Sequence, residues 1–267
     1  MISSWSFSKL QVFESCPLRA KMQWVDKIPD LQPTTAADRG TQIHQEAEDY
    51  VRAKAPITAN LRHFNTDLSA LARHFSEGRV TCEEEWGFDR QWNPCDWRSA
   101  WLRLKCDAVC HLDAKHLAVI DYKTGKRFGN EVKHAEQLQL YALCALIRYP
   151  EVEQVTCELW YIDQNELADF KMHRRQMSKY LALFDRRGRA MTEEKVFKPN
   201  PNIFSCKYCP YAPHKQGNCP VGVDPNGVKG SIREVVIKPP TSRKASKFDN
   251  TFAEEAARYA ANSKDSD

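Results

Sequence analysis

Apolar and polar residues recur along this chain with two periods, and the switches between them outline the fold. Residues 5–28 read as a helix rich in aromatics (Trp5, Phe7, Phe13, Trp24) that carries Cys16-Pro17. Residues 38–53 read as a second helix, D-R-G-T-Q-I-H-Q-E-A-E-D-Y-V at its start, with His44 and Glu48 four apart on one face. Residues 60–77 suggest a third, which Gly78 ends. Strand-like runs follow at 81–90, 100–112 and 116–123. The run K-T-G-K-R-F-G-N then turns the chain before a helix at 131–148 that Pro150 closes. A fourth strand, V-T-C-E-L-W-Y-I-D, spans 155–163, and a charged helix occupies 174–192. The order is αβββαβ, an α/β class with one sheet.

The composition changes near residue 196. From there to Cys219 prolines are too many and aliphatics too few to build a separate core, and residues 221–267 read as a polar, flexible tail with a short helix at 251–261. Residues 1–220 are therefore expected to form one domain.

Strand alternation places candidate chemistry. The second strand run, L-R-L-K-C-D-A-V-C-H, contains Asp107, and its neighbour ends A-V-I-D-Y-K. Side chains alternate faces, so Asp121 and Lys123 share one side while Tyr122 points to the other. By the same count Cys106 and Cys110 share one face opposite Asp107. The next helix presents Gln137 and Tyr141, four apart, on one side. An apolar strand ending in two opposite charges suits a divalent cation beside a phosphate; the plainer alternative is a strand-end salt bridge.

This ordered set resembles the PD-(D/E)XK nuclease superfamily, and within it the RecB-like branch of CRISPR-associated and recombination exonucleases. The resemblance covers roughly residues 5–220. It implies a restriction-endonuclease-like αβββαβ core with a mixed central sheet. It implies that Asp107 and Asp121 bind Mg²⁺ or Mn²⁺, that Lys123 serves the hydrolysis, and that Gln137 and Tyr141 contact DNA and the lysine. His44 lies in G-T-Q-I-H-Q-E-A-E, similar to the branch's G-T-x-x-H-x-x-x-E, where the histidine is a further metal ligand; imidazole among carboxylates moves preference toward Mn²⁺. Glu48 is expected to support the helix. Lys126 and Arg127 stand where they could meet a phosphate backbone or form a solvated turn. Glu84 and Glu85, on the first strand, are further acidic candidates but are expected to be solvated.

Cys206, Cys209 and Cys219 form C-x2-C-x9-C, one ligand short of a tetrahedral ion or a cubane cluster. RecB-like nucleases with an iron-sulfur staple show one N-terminal Cys-Pro and three cysteines after the core. That resemblance implies that Cys16 completes the set and that the four hold a 4Fe-4S cluster, with zinc as the alternative. Most of the other cysteines read as small buried hydrophobes.

Length, charge and flanking sequence narrow the picture further. The 267 residues carry a net charge of +4, a mild hint of a polyanionic partner. No apolar stretch approaches the roughly 20 residues that cross a bilayer, and the N-terminus lacks a signal-peptide pattern, so a cytoplasmic protein is expected. A zinc deaminase is disfavoured because Ser205 stands where its signature expects proline. Gly125-Lys126 lacks the P-loop frame, so no ATP-driven motor is encoded and any helicase or single-strand annealing partner would be separate. The expected function is a metal-dependent DNA exonuclease in recombination, repair or phage DNA processing. The alternative is a catalytically silent DNA-binding scaffold partnering a helicase, an annealing protein or a CRISPR adaptation complex. Trp92, Trp97 and Trp101 are candidates for stacking on single-stranded bases or for core packing.

Overall fold

The computed structural model describes residues 1–30, 35–125 and 127–225. In chain order the elements are α1 (Phe7–Ser15), α2 (Pro17–Trp24), α3 (Thr35–Val51), a 3-10 turn (Ala59–Phe64), α4 (Asn65–Ser76), β1 (Val80–Phe88), β2 (Pro94–Cys95), β3 (Leu102–His111), β4 (His116–Lys123), α5 (Glu131–Arg148), β5 (Gln154–Tyr161), β6 (Glu166–His173), α6 (Met177–Thr192) and α7 (Ile203–Lys207). Six strands form one sheet in the order β2-β1-β3-β4-β5-β6. Only β4 and β5 run parallel within it, and α5 supplies the crossover that such a pair needs.

The sheet separates two cores. On one face α1, α5 and α6 pack over Leu102, Leu104, Cys106, Leu117 and Val119. On the other, α3 and α4 pack over Ala108, Cys110, Ala118 and Ile120. α3 turns a stripe of Ile43, Ala47 and Val51 to the sheet, the four-residue spacing of an amphipathic helix. Gly188 on α6 lets Trp5 and Trp101 approach its backbone; a Cβ there would lie 2.7 Å from the Trp5 indole.

Several expectations are corrected. The expected helix over 5–28 is two helices. Cys16 is extended (φ −160, ψ 104) and Pro17 opens α2, because proline disfavours helical backbone before it and tolerates the first helical position. The third helix begins as a 3-10 turn, and Gly78 follows it with φ +73. The sheet also contains β2 and β6, both absent from the sequence reading. β6 is an edge strand with most of its residues partly or fully exposed, so its apolar pattern is weak.

The largest correction concerns strand phase. In β1, Val80 and Cys82 face the α3–α4 core, whereas Trp86 and Phe88 face the α1–α5 core. In β3, Cys106 lies in the α1–α5 core and Cys110 in the other, so the two cysteines do not share a face. Both inversions occur at one level, where β1 and β3 register on either side of Glu83 and Asp107 but skip that pair. Glu83 has φ +58, a left-handed backbone that rotates the strand without adding a residue. Parity along the sequence is unchanged, so counting alone cannot detect the turn-over.

Candidate active site

The site forms where β3 and β4 part. Their ladder ends at Ala108–Ile120, leaving Asp107 beside the end of β4. Asp107 Oδ2 accepts a hydrogen bond from the Tyr122 backbone N–H at 2.6 Å, and Oδ1 lies 3.1 Å from His44 Nδ1. His44 reaches in from α3, and its Nε2 lies 3.0 Å from the Tyr122 carbonyl oxygen. Both partners are acceptors, an arrangement that favours the imidazolium. Burial alone would lower the His44 pKa. The Asp107 hydrogen bond and charge, with Asp121 and the Tyr122 carbonyl, outweigh it and raise the pKa above the usual histidine value. Burial and repulsion from Asp121 push the Asp107 carboxyl up, against His44.

Asp121 is held from the opposite face. Its Oδ1 accepts hydrogen bonds from Gln137 Nε2 (3.1 Å) and Tyr141 Oη (3.2 Å), and Gln137 also donates to Tyr141 Oη at 3.0 Å. The Lys105 carbonyl lies 3.2 Å from the same Tyr141 hydroxyl and competes with Asp121 for its one proton, so α5 meets both β3 and β4. Asp121 Oδ2 lies 2.6 Å from Lys123 Nζ as an ion pair, yet it takes no hydrogen bond of acceptable geometry. A buried carboxylate oxygen with a spare lone pair is a ready cation ligand.

The structure thus brings together His44, Asp107, Asp121, Lys123, Gln137 and Tyr141. It adds Glu83, which the sequence reading passed over in favour of Glu84 and Glu85. His44, Glu83 and Asp107 offer ligand atoms all within 4.8 Å of one another. Glu83 pairs with Lys105 across the strand turn-over. The E-E-E run was the available signal, but the kink that selects its first member leaves no mark in the alternation. Glu84 is not solvated: it pairs with Arg148 at 3.2 Å and accepts from Tyr149. Glu85 is exposed. Glu48 pairs with Arg52 at 2.8 Å, and Arg52 donates to the Cys82 carbonyl, so Glu48 braces α3 against β1. Arg127 pairs with Glu166 on β6 at 3.3 Å, and Lys126 lies outside the described residues.

A cleft of about 1120 Å³ opens from this site between α1–α2 and the start of α5. Lys9, Arg19, Arg103, Lys105, Lys123 and Lys133 line it, and no carboxylate does among the described residues. The crowding is visible in the titration of its cations. Burial and Arg103 lower the pKa of Lys9; burial, Lys123 and Arg19 lower that of Lys133. Such a cleft is short of negative charge. Of the three candidate stacking tryptophans only Trp97 borders it, with the Arg103 guanidinium 5.5 Å from its ring. Trp92 and Trp101 pack edge-on with Trp5 in the core.

Cys16, Cys206, Cys209 and Cys219 line one small apolar pocket next to the cleft. Backbone N–H groups of Asn200 and Val223 donate to Cys16 Sγ and Cys206 Sγ, each at 3.4 Å. The pocket joins the α1–α2 region to residues 200–211 through Tyr211 Oη donating to the Ile28 carbonyl and Asn200 donating to the Ser15 carbonyl. Burial, eased by the Tyr211 backbone and Arg19 but reinforced by Cys219 and Cys16, raises the Cys209 pKa. The expected helix at 251–261, and most of the tail, lie outside the described residues.

Carboxylates, an imidazole and a lysine at the head of a cationic cleft describe the class of enzymes that hydrolyse polyanions with a metal's help. The chain belongs to the PD-(D/E)XK nuclease superfamily, whose pattern it matches over residues 4–214. It is a family of nucleases that use divalent metals. No curated protein matches the sequence. Among solved structures it is similar to SSO0001 (16% identity, 84% of this chain and 89% of that one, TM-score 0.42). It is also similar to an exonuclease candidate from Eubacterium rectale (11% identity, 74% and 84% covered, TM-score 0.41). No helix among the described residues is long and apolar enough to cross a membrane.

Proposed function

We propose that this protein is a Mg²⁺- or Mn²⁺-dependent deoxyribonuclease of the RecB-like branch that degrades DNA from an end. The observation carrying this reading is the convergence of His44, Asp107, Asp121 and Lys123 at the head of a cleft lined by six cations. His44, Asp107 and Asp121 would hold the metal, with the Tyr122 carbonyl and Glu83 within reach of the same space. Bound there, a divalent ion supplies a hydroxide at neutral pH and neutralises charge on the phosphorane-like transition state. Gln137 and Tyr141 fix the rotation of the Asp121 carboxylate and leave Oδ2 as its available oxygen. Lys123 Nζ exchanges that oxygen for a non-bridging oxygen of the scissile phosphate. The cationic cleft draws in the strand electrostatically, so binding should weaken steeply with salt.

Cys16, Cys206, Cys209 and Cys219 hold a 4Fe-4S cluster that staples residues 1–220 into one nuclease domain. The shared pocket and the two N–H donors to sulfur support this. The natural setting is recombination, repair or phage DNA processing, with strands delivered by a separate helicase or annealing protein.

The deciding experiment is cleavage of end-labelled single- and double-stranded DNA by anaerobically purified protein with Mg²⁺ or Mn²⁺. Progressive shortening from an end, lost in Asp121→Ala, is expected. No cleavage by the wild type under any of these conditions would overturn the reading.

A further inference from the structure

One cleft residue plays no part in the site just described. His134 stands one turn before Gln137 on the same side of α5, half-buried, on the cleft wall. Its Nδ1 lies 2.7 Å from the hydroxyl of the buried Tyr161, at the end of β5 opposite Lys123. Its Nε2 has no partner among the described residues. We propose that His134 binds a backbone phosphate of the substrate strand through Nε2, with Tyr161 as the residue that positions its ring.

The chemistry of the pair suits that task. A tyrosine hydroxyl can donate to Nδ1 or accept from it. When it donates, the neutral ring carries its proton on Nε2 and that nitrogen is a donor; when it accepts from a neutral ring, Nε2 is left bare, and only protonation to the imidazolium makes it a donor. The cleft-facing nitrogen can therefore meet a phosphate in the first tautomer or as the imidazolium. The groups that face His134 are Asp121 and Lys123 of β4, Glu131 and Lys133 of α5, and Tyr161 of β5. Burial first, then Lys123 and Lys133, push its pKa down to about 4 against Asp121 and Glu131, so the free protein holds it neutral near pH 7. A phosphate entering among these lysines reverses the balance, and His134 takes a proton from solvent as the strand binds. The contact is therefore strongest at low pH.

This inference rests on the nuclease reading, and its test separates the two. A fluorescein-labelled oligodeoxythymidine of about 20 nucleotides is titrated by anisotropy at about pH 6 and pH 8, with Ca²⁺ replacing Mg²⁺ to slow cleavage. His134→Gln and His134→Ala should each raise Kd about tenfold at the lower pH and less at the higher, flattening the pH slope. His134→Lys should restore affinity at both pH values without the slope. Tyr161→Phe should raise KM severalfold while kcat stays within about twofold. Thermal melts show whether each variant is folded; if Ala is not, Gln and Lys carry the comparison. Unchanged Kd and pH slope in His134→Gln, with Asp121→Ala still abolishing cleavage, would overturn the His134 assignment and leave the nuclease reading intact. A fall in kcat with unchanged Kd would overturn it as well. A wild type that neither binds nor cleaves DNA sinks both.

Discussion

The carboxylate site and the cysteine pocket hold their groups in opposite ways. Asp107, Asp121 and Lys123 sit on strands of the central sheet, and α5 holds Asp121 through Gln137 and Tyr141. Its side chains are paired with one another, His44 with Asp107 and Lys123 with Asp121. The cysteine pocket is assembled from the break between α1 and α2, from the short α7 and from the loops around it. Its satellite core is small, centred on Met22, Cys206, Cys209, Tyr211 and Ala212. A site built on paired strands can keep its shape before its ligand arrives. With so little core around the thiols, the cluster proposed for them would supply much of this region's stability.

The largest test of this contrast is Asp121→Ala. Cleavage should fall by about 10³-fold or more, while the melting temperature drops by only a few degrees, because the repulsion from Asp107 that is relieved offsets part of the lost Lys123, Gln137 and Tyr141 contacts. A melt lowered by many degrees would show that the sheet site is not independently built. Cys209→Ser should behave in reverse. Loss of the bound group should cost about 3 kcal/mol, a Tm drop of roughly 6–12 °C at this chain length, with activity falling only as far as folded protein is lost. Visible absorption and iron content should vanish together, and Cys95→Ser should leave both in place. Zinc in place of iron would keep the ligands and change the cofactor.

A pH titration of Mn²⁺ binding sharpens the contrast at the acidic site. Metal requires neutral imidazole, and His44 is shifted upward, so protons compete to higher pH than the ordinary histidine value of about 6.5. Affinity should rise with pH through that window by up to about tenfold per unit, and His44→Ala should flatten it. Calorimetry that shows the same slope in both proteins would remove His44 from the ligand set. The smallest effect is expected of Tyr141→Phe, which deletes one of two donors to Asp121 Oδ1. A rate loss of about fivefold with unchanged KM is the expected result, read from initial rates.

The sequence alone determined the elements that carry short-range signals. The α5 boundaries follow from its amphipathic run, and β4 from an apolar stretch ending in Asp121 and Lys123. Local chemistry also marks the residue types of the candidate site, since it is the ordered set of Asp107, Asp121, Lys123, Gln137 and Tyr141, and no one of them alone, that stands apart from a strand-end salt bridge. Tertiary structure decided the rest. Period-two counting assumes an even strand, and the left-handed Glu83 turns β1 and β3 over together, which separates Cys106 from Cys110 and selects Glu83 over its neighbours. Trp92 and Trp101 differ from Trp97 only in what packs on them. His134 gains its place on the cleft wall because the parallel pairing of β4 with β5 sets Tyr161 beside Lys123. Those outcomes depend on contacts between residues far apart in the chain, whose energies no local pattern contains.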